Sequence, residues 1–343
     1  MQNNLAYFFI LFLAFVYVPY AFSFEISSVN VGANPWAVAV NPSTNRIYVT
    51  NSGNDTVSVI DGKTNSVIKT ITVGVNPTGV AVNPSTDLIY VSKFSSPTVS
   101  VIDGKTNAVL ANITVGKLPN GIGINPVTNQ IYVTNFGSAT VSVIDGNTNT
   151  VSETIRVGAR PTAVSVDTST NIAYVTNSGA ATVSVIDGKT NTVSATIPVG
   201  TSPTGVSVNP LTNMVYISNS NTPQVFVINA NTNTISADIT VGANPDGVSA
   251  DSMTNKIYVA NSGDGTVSVI DGTTNTVSET IPTGTHPYGI VVDSSTGLVY
   301  AGNDSPGIIY VISDSEKSPS STNSSQNFFE NIIQFFLHLF NLK

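Results

Sequence analysis

Seven tyrosines, Tyr48, Tyr90, Tyr132, Tyr174, Tyr216, Tyr258 and Tyr300, stand 42 residues apart, each inside a short apolar strand, with no insertion or deletion between them. A sheet of about four strands in roughly 40–45 residues cannot bury both faces alone, so it stacks on its neighbours and closes into a ring. The repeat therefore predicts an all-β, seven-bladed β-propeller with four-stranded blades of 42 residues. The same regularity gives most residues a structural reason to be what they are.

The second copy illustrates the blade. Gly79–Asn83 reads as an inner strand a, Pro84–Asp87 as a turn, Ile89–Ser92 as strand b and Lys93–Pro97 as a loop. Thr98–Asp103 reads as strand c, Gly104–Asn107 as a turn and Val109–Val115 as an outer strand d. Inner strands are apolar on both faces, as expected where neighbouring blades cover both sides. Strand d mixes in polar residues, which fits an outer edge. Residues 25–32 align with strand d but follow no strand a, b or c. The seventh copy has strands a to c and no strand d. The N-terminal strand is thus expected to complete the last blade and close the ring, which removes a long exposed edge.

Charged residues make up only 9% of the chain and its net charge is −8. The few Lys and Arg are scattered, which argues against nucleic acid as a partner, since gripping phosphates needs clustered cations. There is no cysteine, so disulfides, thiolate catalysis, Cys–zinc sites and c-type haem attachment are excluded. Asp61, Asp103, Asp145, Asp187 and Asp271 each precede a glycine at the end of strand c. They recur once per blade and so lie far apart. They read as turn caps rather than a calcium site, which needs several oxygens in one place.

The ends differ in kind. Residues 1–23 hold a charge-free apolar run over positions 5–22, with Ala21-Phe22-Ser23 as a small-x-small cleavage site, and read as a secretory signal. An uncleaved anchor is the alternative, since about 18 apolar residues can span a bilayer. The propeller is assigned to 24–312 and a Ser-rich linker to 313–327. Residues 328–343 form an apolar segment whose polar residues Glu330, Gln334, His338 and Asn341 fall on one helical stripe. This segment is expected to meet a membrane interface or a partner; the plain alternative is that it packs on the propeller or is a poorly ordered tail. Four sequons begin at Asn54, Asn112, Asn303 and Asn323; they matter only where exported proteins are N-glycosylated.

Ile47-Tyr48-Val49-Thr50-Asn51 and Ile131-Tyr132-Val133-Thr134-Asn135 carry a Tyr-Val-Thr-Asn signature. It is followed by Thr-Val-Ser-Val-Ile-Asp-Gly-x-Thr-Asn and Val-Gly-x-x-Pro-x-Gly. Over residues 25–312 the chain resembles the YVTN-family β-propellers, which include archaeal surface-layer-type and bacterial periplasmic proteins. The resemblance implies the fold and an extracytoplasmic, envelope setting. It assigns no chemistry, because propellers host many unrelated activities. The axial ligands and attachment cysteines of haem or quinone propellers have no counterpart here. The copies at Val215–Asn219 and Val299–Asn303 depart from the signature.

In a propeller, the d–a and b–c loops share one face around the mouth of the central channel. The residue after the d–a proline is Trp36, Thr78, Asn120, Thr162, Thr204, Asp246 or Tyr288. The residue before it is Asn34, Asn76, Leu118, Arg160, Ser202, Asn244 or His286. These positions vary while the frame repeats, so packing of the frame does not dictate them. Trp36, His286 and Tyr288 are expected to cluster where blades seven and one meet. Lys93, Phe94, Lys117 and Asn120 are expected to gather near blades two and three, with Phe136 close by. Arg160 and Asp246 complete the channel-mouth candidates. Aromatic groups with a few polar partners suit a sugar or peptide ligand. The plain alternative is that Trp36 plugs the channel and His286 is solvated.

No metal site, phosphate-cradling Gly loop or Ser–His–Asp constellation is evident, and no cofactor is implied. His286 with Asp246 is the one pairing that could serve as general acid and base. The chain is read as an exported surface or envelope scaffold that binds a protein or glycan. A hydrolase- or lyase-type enzyme working at the mouth is the runner-up, and a passive surface-layer component the third reading.

Overall fold

A computed structural model describes residues 24–314, all of whose regular elements are β-strands. The signal, the tail and nearly all of the linker lie outside the described residues. Strands β1 (Phe24–Asn30) to β28 (Ile308–Asp314) form seven four-stranded antiparallel sheets. Six sheets are consecutive in the chain. The seventh has the order β1, β28, β27 (Leu298–Asn303), β26 (Pro287–Asp293). The N-terminal strand therefore supplies the outer strand of the last blade, as its alignment with strand d predicts.

Strand a begins at the proline, two residues earlier than the sequence pattern indicates. In blade two, Pro77 pairs with Lys93 before a bulge that ends at Val80. A proline without an N–H is acceptable at the first position of a strand, beside such an irregularity. The core runs between blades. Tyr48, Val57 and Val59 of blade one pack with Val80, Ile89, Val91 and Ile102 of blade two. Val29 of β1 joins Tyr300, Ile309 and Val311 of blade seven against Val38, Ile47 and Val49 of blade one. Full burial of each such aliphatic side chain is worth about 1.5–3 kcal/mol.

The strand-b signature has a physical reading at every position. The tyrosine ring is buried at the blade interface, and desolvation pushes the hydroxyls of Tyr90, Tyr132, Tyr174, Tyr216 and Tyr300 up to about 12. The Tyr90 hydroxyl donates to Asn149 Oδ1 of the next blade at 3.1 Å. The fourth residue is an inter-blade clamp. Thr50 Oγ1 accepts from the Ala37 amide at 3.0 Å and donates to the Thr78 carbonyl of blade two at 2.8 Å. Ser92, Thr134, Thr176 and Ser218 repeat this arrangement. Blades six and seven break it, with Ala260 and Gly302 at the clamp position.

The asparagine links strands b, c and the preceding d. Asn51 Oδ1 accepts the Gly32 amide at 3.1 Å, and Nδ2 donates to Thr56 and Ser58 hydroxyls at 3.1 and 2.9 Å. On the opposite end of the blades, the strand-c aspartates cap their turns. Asp61 Oδ1 accepts the amides of Lys63 and Thr64 at 2.9 and 3.0 Å, and those two bonds hold its carboxyl below the usual carboxylate range. Asp103 and Asp271 behave alike.

Candidate functional site: the loop-bearing mouth

The b–c and d–a loops are laced together on one face. The first b–c residue donates its amide to the carbonyl of the pre-proline residue: Ser52 to Asn34, Phe94 to Asn76, Phe136 to Leu118, Ser178 to Arg160, Ser220 to Ser202 and Ser262 to Asn244, all at 2.9–3.1 Å. Every pre-proline residue lies in the left-handed region, with φ between 49° and 58°. Asn and His are enriched in that region, whereas Leu118 and Arg160 adopt it at a cost.

Of the three residues expected to cluster at blades seven and one, Trp36 and Tyr288 meet, while His286 is placed against Asp304. The Trp36 and Tyr288 rings stack with centroids 5.0 Å apart and planes inclined by 15°, a geometry worth about 0.5–1.5 kcal/mol beyond area burial. Trp36 is still 40% exposed, so the pair is not a closed plug. The close approach of the two strands is set at Gly289, where a Cβ would stand 2.4 Å from the Trp36 carbonyl oxygen. Burial raises the Tyr288 hydroxyl above its ordinary range, with contributions from Asp246 and Asp304.

Asp246 is half-buried beside this pair. Desolvation raises its carboxyl, against a smaller lowering from the Ser262 hydroxyl. His286 and Asp246 could serve as acid and base only if brought together; the carboxylate that His286 Nδ1 faces is instead Asp304, with Oδ1 at 3.6 Å. Asp304 opens the b–c loop of the same blade as His286, and the neighbouring Thr285 hydroxyl donates to the Ser305 carbonyl at 2.9 Å, which holds the two loops together. The Asp304 position in the repeat, serine or phenylalanine in every other copy, was a signal available in the sequence.

The second group forms in part. Phe94 and Phe136 meet with centroids 5.8 Å apart at an inclination of 56°, and the Arg160 guanidinium lies 5.8 Å from the Phe136 centroid. Lys117 is exposed, and Asn120 is half-buried with its carbonyl accepting the Ser92 hydroxyl. Lys93 does not join them. It occupies the position of Asn51 and Asn135, is only 7% exposed, and sends its ammonium to Asn112 Oδ1 at 2.7 Å. Burial lowers its pKa from the ordinary lysine value. The reason is register: this column of the repeat points between blades, toward strand d, and not into the mouth. Asn303 is likewise buried and donates to the Thr283 carbonyl at 2.8 Å, which removes the sequon there as a glycan acceptor.

A shallow groove of about 430 Å³ lies elsewhere, along the outer strands of blades seven and one, lined by Asn30, Gly32, Asn54, Thr56, Val67 and Thr70. It contains none of the predicted residues. Among the described residues no group of three or more His, Asp or Glu is placed to hold a metal ion.

No family model and no curated relative matches this chain. Among solved structures, it is similar to Kuenenia stuttgartiensis hydrazine synthase, with a TM-score of 0.76 at 19% identity over 87% of this chain and 99% of that one. At that identity the likeness carries the propeller fold alone.

Proposed function

We propose that this protein is an exported, envelope- or surface-associated propeller of the YVTN type that binds a glycan or protein ligand at its loop-bearing mouth. The observation that carries the reading is the Trp36–Tyr288 stack, a large aromatic surface left 40% exposed on its tryptophan side, in a column that elsewhere holds Thr, Asn and Asp. Aromatic faces beside a few polar groups suit sugar rings and peptide side chains. The charge-free apolar run over positions 5–22 supports export.

A thermal-shift screen of the full chain against cell-wall sugars, polysaccharide fragments, peptides and divalent metals tests it. A ligand that binds only the native state raises the melting temperature by mass action. The expected result is a hit that Trp36→Ala or Tyr288→Ala abolishes. No hit across the panel, or hits indifferent to both variants, would overturn the reading.

Hydrolase- or lyase-type catalysis is the second reading, favoured by the raised Asp246 carboxyl near Tyr288 and by the His286–Asp304 pair on the same rim. Catalysis requires turnover that His286→Ala removes, whereas a binding protein changes only in affinity.

A further inference from the structure

Resting on the ligand-binding reading of the mouth, we propose that the sector between blades six, seven and one selects a protonated amino sugar. Three features converge there. The first is the flat, exposed Trp36 face, backed by Tyr288, which matches the apolar face of a pyranose ring and attracts a cation electrostatically.

The second is an excess of acceptors. Asp246 and Asp304 both lie close enough to raise the Tyr288 hydroxyl. Asp55 and Asp264, in the b–c loops of blades one and six, each commit a carboxylate oxygen to a loop amide, of Asn76 at 2.8 Å and Ala243 at 2.6 Å. Asp304 Oδ1 differs: it makes no hydrogen bond, and His286 Nδ1 faces it at 3.6 Å.

The third is that two permanent cations of the loop-bearing half are held away from this sector. The Arg160 guanidinium lies over Phe136 beyond blades two and three, and Lys93 is sequestered by Asn112. A ligand for this sector must bring hydrogen-bond donors and positive charge, and present a flat ring. An ammonium on a pyranose does all three. A rigid ring also loses less conformational freedom on an indole face than a lysine side chain does.

The test is calorimetric titration of the full chain with a β-linked glucosamine oligomer, its N-acetylated counterpart and a trilysine peptide. The glucosamine oligomer is expected to bind at least about tenfold more tightly than the other two. Asp246→Asn should remove most of that preference, as should Asp304→Asn, and Trp36→Ala should remove binding altogether. Melting curves of each variant separate lost binding from lost folding. Equal binding of the acetylated oligomer, untouched by Asp246→Asn and Asp304→Asn, would overturn the amine selectivity while leaving a glycan site at the stack. Tighter binding of trilysine would overturn the sugar. Absence of binding by all three probes would overturn this inference, whereas the wider screen above decides whether the mouth binds anything else.

Discussion

Thr176→Val probes the inter-blade clamp with little change of shape. Thr176 is fully buried. Its hydroxyl accepts the Ala163 amide at 3.0 Å, donates to the Thr204 carbonyl of the next blade at 3.0 Å, and meets the Thr162 hydroxyl at 2.8 Å. Valine fills the same space but leaves that amide and that carbonyl without their partner. A buried polar group left unsatisfied costs about 1–3 kcal/mol, so the pair predicts a loss of about 3 kcal/mol. The propeller spans Ile26–Ile312. At about 2.1 cal/mol/K per residue, its unfolding entropy is about 0.6 kcal/mol/K, and the melting temperature should fall by about 5 °C. Thr176→Ser keeps the hydroxyl and should lose less than half as much. The reciprocal change, Ala260→Thr, should gain about 1 kcal/mol by adding the clamp that blade six lacks. Scanning calorimetry of the three variants is the assay. Equal losses for valine and serine at position 176 would show that the methyl group, not the hydroxyl, holds the blades, and would refute the clamp.

Asp246→Asn should melt higher than the parent at pH 7. Burial raises the Asp246 carboxyl in the folded state, so the native protein binds that proton more tightly than the unfolded chain does. The stability it contributes is present at low pH and lost as pH rises from the ordinary value of 3.8 through the folded one. The advantage of the variant should therefore shrink to nothing below about pH 4, and a constant offset across pH would contradict this. Lys93→Asn restores the repeat asparagine and removes a buried ammonium; a rise of about 2 °C is expected in thermal melts. Deleting residues 25–31 removes β1 and should lower the melting temperature by about 10 °C or more, by exposing the edge of blade seven. Deleting 328–343 should cost far less, and equal losses in the two truncations would sink the closure scheme.

The fold could be read from the sequence because its information is repeated seven times. The tyrosine register, the strand order and the closing strand all follow from columns of like residues. The stack of Trp36 on Tyr288 could also be anticipated, since both stand in one variable column on adjacent blades. Side-chain direction was harder. Lys93 belongs to the column of Asn51 and Asn135, whose members point between blades; read as a loop residue it looks like a mouth cation, read in register it does not. The partner of His286 depended on which loops of blade seven lie together, although the lone aspartate in the Asp304 column was a signal for it. The clamp was visible in part, as a column of Thr50, Ser92, Thr134, Thr176 and Ser218, but its purpose needed the neighbouring blade. Only then do Ala260 and Gly302 stand out as two gaps that fall beside the aromatic pair.

Trp36 is the single tryptophan of the chain, so its fluorescence reports on the mouth alone. The most direct measurement is the emission and acrylamide quenching of the full chain, titrated with any ligand that raises the melting temperature. Ligand at the mouth should shift the emission saturably and protect the exposed indole from quencher, with the same midpoint as the stabilisation. A ligand that stabilises the protein while leaving Trp36 emission and quenching unchanged would place the binding site elsewhere and contradict the account.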